Sequence, residues 1–234
     1  MSKPALLLLA LSLLAVQAGL TTAQARPNAE EERLVAQSDL FLKAHPDLHM
    51  RLRGLHRLDQ GDLAGAIGDF HEAARHSDKP AQAILAELHW TGRGVPQDRA
   101  LAYVWMDLAA ERGYPLMVAK REQYWTQLDA AGRQAAMAIG EGHYDQYGDA
   151  VARPRLEALI RRARSDFRRG RAHSAGVDGV NVLVGDRFER IRGRIFHDPQ
   201  FWTPEGYFAW QDEMGHDRDR GTVEVGDLEQ LPAE

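Results

Sequence analysis

One spacing, used twice, restricts this chain more than any other feature. Leu63, Ala66, Ile67, Phe70, Ala73 and Ala74 fall on a single face of an α-helix. The set Asp62, Ala66, Phe70, Ala73 and Ala74 returns 36 positions later as Asp98, Ala102, Met106, Ala109 and Ala110. The helix before it, Leu48 to Leu58, repeats at a shorter interval, with Gly54 matched by Ala86 after 32 positions. The difference of 4 belongs in the loop between paired helices, which reads Thr91-Gly92-Arg93-Gly94-Val95-Pro96-Gln97-Asp98. A helical hairpin that recurs with small residues at its contacts is the unit of an α-solenoid, and no such unit can bury its apolar face alone. The stack is therefore expected to continue. Leu116 to Leu128 and Ala130 to Tyr147 form a third hairpin, with Ala135, Ala138 and Ile139 on one face. A capping helix then starts at Pro154 and carries Leu156, Leu159, Ile160 and Ala163.

These residues carry a resemblance. Residues 82–117 resemble a Sel1-like repeat through Leu85, Leu88, Gly92, Gly94, Val95, Asp98, Ala102, Trp105, Ala109, Ala110 and Gly113. Ala86 and His89 replace the family's Gly and Tyr. Residues 47–80 are similar to the related tetratricopeptide repeat, with Gly54, Gly61, Ala66, Phe70 and Ala73 in place and Asp78 where Pro is usual. The fold expected is thus mostly α: an α-solenoid of antiparallel helix hairpins, Sel1/TPR-like, with a short mixed α/β C-terminal extension. The resemblance implies adaptor or regulatory work in assemblies, in bacteria often those of the envelope and of secretion. It also implies that some exported relatives staple each hairpin with a cystine. This chain has no Cys, so its hairpins depend on Ala, Leu and aromatic contacts.

The start of the chain bears on where it works. Lys3 precedes an apolar run from Ala5 to Val16, broken only by Ser12, and a more polar stretch leads to Ala23-Gln24-Ala25. These are the parts of a secretory signal peptide with a cut after Ala25. The run ends well short of the ~20 residues a membrane span needs. An exported bacterial protein, periplasmic or secreted, of 209 residues is expected, without a span after cleavage. The organisation expected is signal peptide 1–25, N-terminal leader 26–47, helical repeats 48–165, Gly-rich linker 166–185, and an aromatic and acidic extension 186–234.

Charge and aromatic residues are unevenly placed in the last third. Arg153 to Arg194 holds 12 Arg against 5 acids, while 195–234 holds 10 acids against Arg218 and Arg220. The basic block suits nucleic acid, lipid headgroups or acidic glycans. The reading preferred from sequence is a solvated helix face offset by the adjacent acidic tail, and with a net charge of −5 no nucleic-acid partner is expected. Six aromatics, Phe196, Phe201, Trp202, Tyr207, Phe208 and Trp210, lie within 15 residues. They could stack on sugars, but a minicore, or docking on the concave face of the solenoid, is preferred.

Catalytic and metal signatures are weak. Pro46 separates His45 from His49, His71 and His76 share no helix face, and Asp217, Asp219 and Gly221 lack the Gly and Glu that complete a calcium loop. No nucleophile elbow, phosphate loop or Ser-x-x-Lys motif occurs, and His173-Ser174 is a lone pair. The expectation is a non-catalytic scaffold, without cofactor or metal, that binds a protein or peptide through its repeat surface. Glu87, Arg99, Tyr103 and Asp107 are the candidate contacts there. The alternative is an envelope carbohydrate-binding protein or cell-wall enzyme working through Trp202 and Trp210 in the aromatic extension.

Overall fold

The structure is a computed structural model and describes residues 27–170 and 179–217. The signal peptide expected at 1–25 and the pair His173-Ser174 lie outside these residues.

Nine helices open the described chain: α1 Ala29–Ala36, α2 Asp39–Ala44, α3 Pro46–Asp59, α4 Leu63–Arg75, α5 Lys79–Thr91, α6 Arg99–Ala109, α7 Pro115–Gln127, α8 Ala130–Tyr147 and α9 Asp149–Gly170. They are followed by β1 Gly179–Val184, β2 Arg187–Arg192, α10 Gly193–Phe196, α11 Pro199–Trp202 and α12 Pro204–Asp217. No helix of the described residues is long and apolar enough to cross a membrane.

The repeat follows the sequence pattern closely. Asp62, Asp78, Asp98 and Asp129 each cap a helix by accepting the backbone N–H three residues on, which satisfies a donor that would otherwise be orphaned. Gly92 ends α5 at φ 72, a conformation that only glycine adopts without strain. At Gly54 a β-carbon would stand 2.7 Å from the Phe70 ring, so the small residue is what lets α3 and α4 meet. Their counterparts Ala86 and Met106 lie in α5 and α6, and both hairpins share one core with Ala66, Phe70, Leu85, Trp105 and Leu108.

Beyond α6 the regular stack changes. α7 and α8 both lean on α6 and scarcely on each other, so the third hairpin is splayed around the preceding helix. The buried stripe of α8 passes through Ala136 and Tyr147, whereas Ala135 and Ala138 are exposed. The next helix opens at Asp149, not at Pro154, which sits in its sixth position. Its Leu156 and Ile160 are fully buried, yet they face away from the solenoid core and into a second one.

That second core joins the two ends of the chain. Val35, Phe41 and Ala44 of the leader meet Leu156 and Ile160 of α9, Val182 and Ile191 of the hairpin, and Phe196, Phe201, Trp202, Tyr207, Phe208 and Trp210. The leader is thus folded, its α1 closed by a capping box at Asn28 and Glu31. The Gly-rich stretch expected as a linker at 166–185 begins as helix to Gly170 and ends as strand β1. The aromatic cluster is a minicore, as expected, and it packs on the leader and α9, with Gln211 and Asp212 of α12 reaching Arg112 and Tyr114 at the turn after α6. Phe41 lies at its centre, with ring centroids 5.7 to 6.4 Å from Phe201, Trp202, Tyr207 and Trp210.

A buried polar cluster couples the two cores. Arg112, between α6 and α7, donates to Asp149 Oδ2 at 2.8 Å, Ser77 Oγ at 2.6 Å, Ser77 O at 3.1 Å and Gln211 Oε1 at 3.2 Å. Lys79 Nζ, wholly buried, reaches Asp149 Oδ1 at 3.0 Å, Glu111 Oε2 at 2.7 Å and the Leu108 carbonyl at 2.9 Å. These cations and the Ser77 hydroxyl hold the Asp149 carboxyl at about 2 despite its burial. Ser77 has φ 68, a strained conformation for a non-glycine residue, and its hydroxyl and carbonyl both lie in this cluster. Beside it Tyr207 donates to Asp47 Oδ2 at 2.7 Å, and Gln211 donates to the same oxygen at 2.8 Å.

Three outcomes are expected. Phe41→Ala should cost about 3–5 kcal/mol in urea unfolding and expose 179–217 to protease before 63–147. Arg112→Lys should lower stability almost as much as Arg112→Ala, because an ammonium cannot replace the guanidinium fork; removing one partner of a buried pair costs about 3–5 kcal/mol. The third concerns pH. Burial lowers His45 to about 4, so the unfolded chain takes up a proton first as pH falls below 6.5, and stability is lost toward pH 4. Burial raises Asp78 to about 6, which has the opposite sign over an overlapping range. Whatever the variant costs at pH 7, the gap between His45→Gln and the parent should therefore close on acidification to pH 4, by up to roughly 3 kcal/mol. The gap between Asp78→Asn and the parent should move the other way, as read by calorimetry at each pH.

Candidate functional site

The four candidate residues of the repeat come together around α7. Lys120 Nζ pairs with Glu87 at 3.0 Å and lies 5.8 Å above the Tyr124 ring. Tyr124 stacks flat on Trp90, with centroids 3.8 Å apart and planes at 7°. The exposed Arg99 guanidinium covers Trp90 at 5.1 Å. One step along α7, Tyr103 meets Trp125 at 4.9 Å, and Arg133 of α8 covers Trp125 at 5.0 Å while donating to its carbonyl. Asp107 accepts from Tyr144 Oη at 2.9 Å and faces Arg121 at 3.5 Å.

The arrangement has a simple origin in helix geometry. Lys120 and Tyr124, and likewise Arg121 and Trp125, are four apart and so lie on common stripes of α7. Each stripe presents a cation and a ring to one part of the α5–α6 hairpin. Cation–ring contacts of this kind are worth about 0.5–1 kcal/mol when exposed, and more when desolvated. Burial, reinforced by the Asp107 charge, raises Tyr103 and Tyr144 above the usual phenol range, and burial beside Glu87 raises Tyr124, so these phenols stay neutral.

The result is a patch of half-buried rings edged by charges and extended by exposed apolar side chains. Trp90, Tyr103 and Trp125 are each partly accessible. Leu116 is 70% exposed at the start of α7, and Met137, one turn beyond Arg133 on α8, is 66% exposed. Glu87, Tyr103 and Asp107 are not free groove residues, since α7 and α8 already engage them. Arg99 is the most accessible of the four. Trp90, Lys120, Arg121, Tyr124, Trp125 and Arg133 went unrecognised in the sequence, although the Lys-Arg and Tyr-Trp doublets four residues apart were a legible sign.

The other two candidates lie elsewhere. Trp202 and Trp210 are 5% and 7% exposed. Their indole N–H groups are used inside the protein, Trp202 donating to the Phe196 carbonyl and Trp210 to Glu32. Sugar stacking needs an open ring face, and neither ring offers one. A feature spread over four helices also escaped sequence reading. The His71 and His143 rings stand 5.3 and 5.5 Å from Trp105, and burial, with a smaller contribution from His143, lowers both His71 and His89 below the usual imidazole range. No group of three or more His, Asp or Glu among the described residues could hold a metal ion.

The α5 and α6 side of this patch falls within a stretch similar to known repeats. The Sel1 repeat family model matches residues 79–114, which span α5, α6 and the turn into α7. No curated protein matches the chain. Among solved structures, the chain is similar to a protective antigen present in uropathogenic Escherichia coli strains displaying an SLR fold, at 24% identity and a TM-score of 0.41. The match covers 48% of this chain and 25% of that one, so it spans about a quarter of the neighbour's length. Residues 79–114 are therefore similar to a Sel1 repeat, and the remainder of the chain lies outside that match.

Proposed function

We propose that this chain is an exported, non-catalytic adaptor that holds a protein or peptide partner on the aromatic patch around α7, within an envelope or secretion-related assembly. Sel1 repeats generally mediate protein–protein interactions. The observation that carries the reading is the patch itself: Trp90 and Tyr103 of the matched residues and Trp125 of α7 are half-buried, ringed by Arg99, Lys120, Arg121 and Arg133 and flanked by Leu116 and Met137. Aromatic and Arg residues held in place by their neighbours are the usual anchors of protein interfaces, because they bring large area at low entropic cost. Export rests on the leader pattern Lys3, Ala5 to Val16 and Ala23-Gln24-Ala25. The carbohydrate alternative relied on Trp202 and Trp210, whose burial leaves no open ring to support it.

The test is capture from a bacterial envelope extract by the immobilised chain from Arg26 onward. Arg99→Glu and Met137→Asp alter exposed positions and should leave the fold intact. Combined, they should reduce the enrichment of the partner roughly tenfold or more. Equal enrichment by parent and double variant would remove the patch from the mechanism. Saturable binding to an envelope polysaccharide with no protein enriched would overturn the adaptor reading.

A further inference from the structure

The last turn of α12 is fastened at the point where the exposed stripe of α7 begins. Tyr114, the residue before α7, donates to Asp212 Oδ1 at 2.6 Å, and its ring lies 5.3 Å from that of His216. A β-carbon at Gly215 would stand 2.6 Å from the same ring. Two residues further on, Leu116 is exposed, and Lys120 and Tyr124 follow it at four-residue intervals on one face of the helix. Because α12 ends at Asp217, the chain that follows starts beside the head of this stripe.

The patch on α7 is open to a particular chemistry. Tyr124 covers one face of Trp90 at 3.8 Å, so the Arg99 guanidinium, at 5.1 Å, lies over the other. What stays accessible is ring edges, Arg99 itself and the aliphatic side chains of Leu116 and Met137. The charge there is mixed, since Lys120 and Arg121 already face Glu87, Asp107 and Glu122. Arg99 and Arg133 rest on rings and make no ion pair among the described residues, while nearby Asp98 and Asp129 each cap a helix. An occupant therefore needs aliphatic side chains first, and a few carboxylates spaced among them second.

Residues 218–234 have that composition. Val223, Val225, Leu228 and Leu231 are interspersed with Glu224, Asp227 and Glu229, and 221–234 holds four acids and no base. Leu116 to Tyr124 covers about 12 Å of helix, whereas the ten residues from Asp217 to Asp227 can span up to about 33 Å. We propose that 218–234 folds back along α7 and occupies the patch, its aliphatic side chains against Leu116 and Met137 and a carboxylate at Arg99, so that a partner must displace it. The docking stands on the geometry of this chain; the displacement rests on the reading of the patch as a partner surface. A short tether gives an effective concentration on the order of 1 mM, so a contact of about 0.25 mM between separate molecules would be engaged in roughly four chains of five.

Tryptophan emission reads the cover directly. Trp90 and Trp125, the partly accessible tryptophans, both belong to the patch, while Trp105, Trp202 and Trp210 are buried. The chains to compare are 26–234 and 26–217, which both contain every residue of the two cores. The Stern–Volmer constant for acrylamide should rise roughly twofold when 218–234 is removed, and as far in the longer chain carrying Leu228→Ser and Leu231→Ser. Capture of the envelope partner should rise roughly fivefold in the shorter chain. Equal quenching of the two lengths would overturn the proposal, as would protection that survives both Leu→Ser changes. Protection that fades on dilution would overturn it too, since the occupant would then be a second copy. Protection with equal capture by both lengths would overturn the displacement, and protection with no partner enriched by either would support the docking while removing the adaptor reading.

Discussion

The pairing of Arg112 and Lys79 with Asp149 holds the two halves of the molecule in register. Asp149 is the first residue of α9, so its carboxylate sits where the helix dipole also favours negative charge. The two cations come from the turn after α6 and the start of α5, both parts of the repeat. Buried charges are costly unless every partner is supplied. Here Asp149 is met by Arg112, Lys79 and the Ser77 hydroxyl, and its own N–H is taken by Glu111 at 2.9 Å. The strained backbone at Ser77 belongs to this arrangement, because it brings hydroxyl and carbonyl to the same guanidinium.

Anchoring α9 at its first residue fixes where the rest of it goes. Leu156, Ile160 and Phe167 emerge on the side away from the solenoid and need apolar cover. The leader supplies it from one end of the chain and the aromatic extension from the other. A short solenoid leaves its terminal faces open, and this molecule closes one of them with a second core instead of a further repeat. Gln211 of α12 ties the arrangement together by donating to Asp47 and accepting from Arg112. In a chain without cystines, such buried ionic and aromatic contacts take the place of covalent staples.

How much was readable varied with the range of the interaction. The α3–α4 and α5–α6 hairpins were legible because their determinants are local: periodic Ala, capping Asp and a glycine at φ 72 within about 12 residues of one another. The start of α9 was misplaced because Pro154 resembles a first-turn proline, whereas Asp149 is selected by groups 37 to 72 positions away. The face of α8 was misassigned for a similar reason, since Ala is compatible with either side and only α6 decides which side is covered. The aromatic cluster was recognisable as a minicore from composition. Its partners were not, because nothing in Phe196 to Trp210 points to Val35 or Phe41. At the candidate surface, Glu87, Arg99, Tyr103 and Asp107 were found from the outward positions of the repeat, while their α7 partners depend on how a splayed helix folds back.

By itself, the sequence determined the kind of unit this protein is made from. Helical period, capping carboxylates and small residues at 36-residue spacing admit a recurring hairpin and little else, and they are local properties that survive without knowledge of the fold. Only the tertiary structure decided what covers the outer side of α9, which rings are hidden and which cations meet Asp149. Those outcomes depend on burial and on the pairing of charges brought together from distant parts of the chain. Neither the +7 and −8 blocks nor the aromatic run carries that information until α9 is anchored and both ends of the chain close over it.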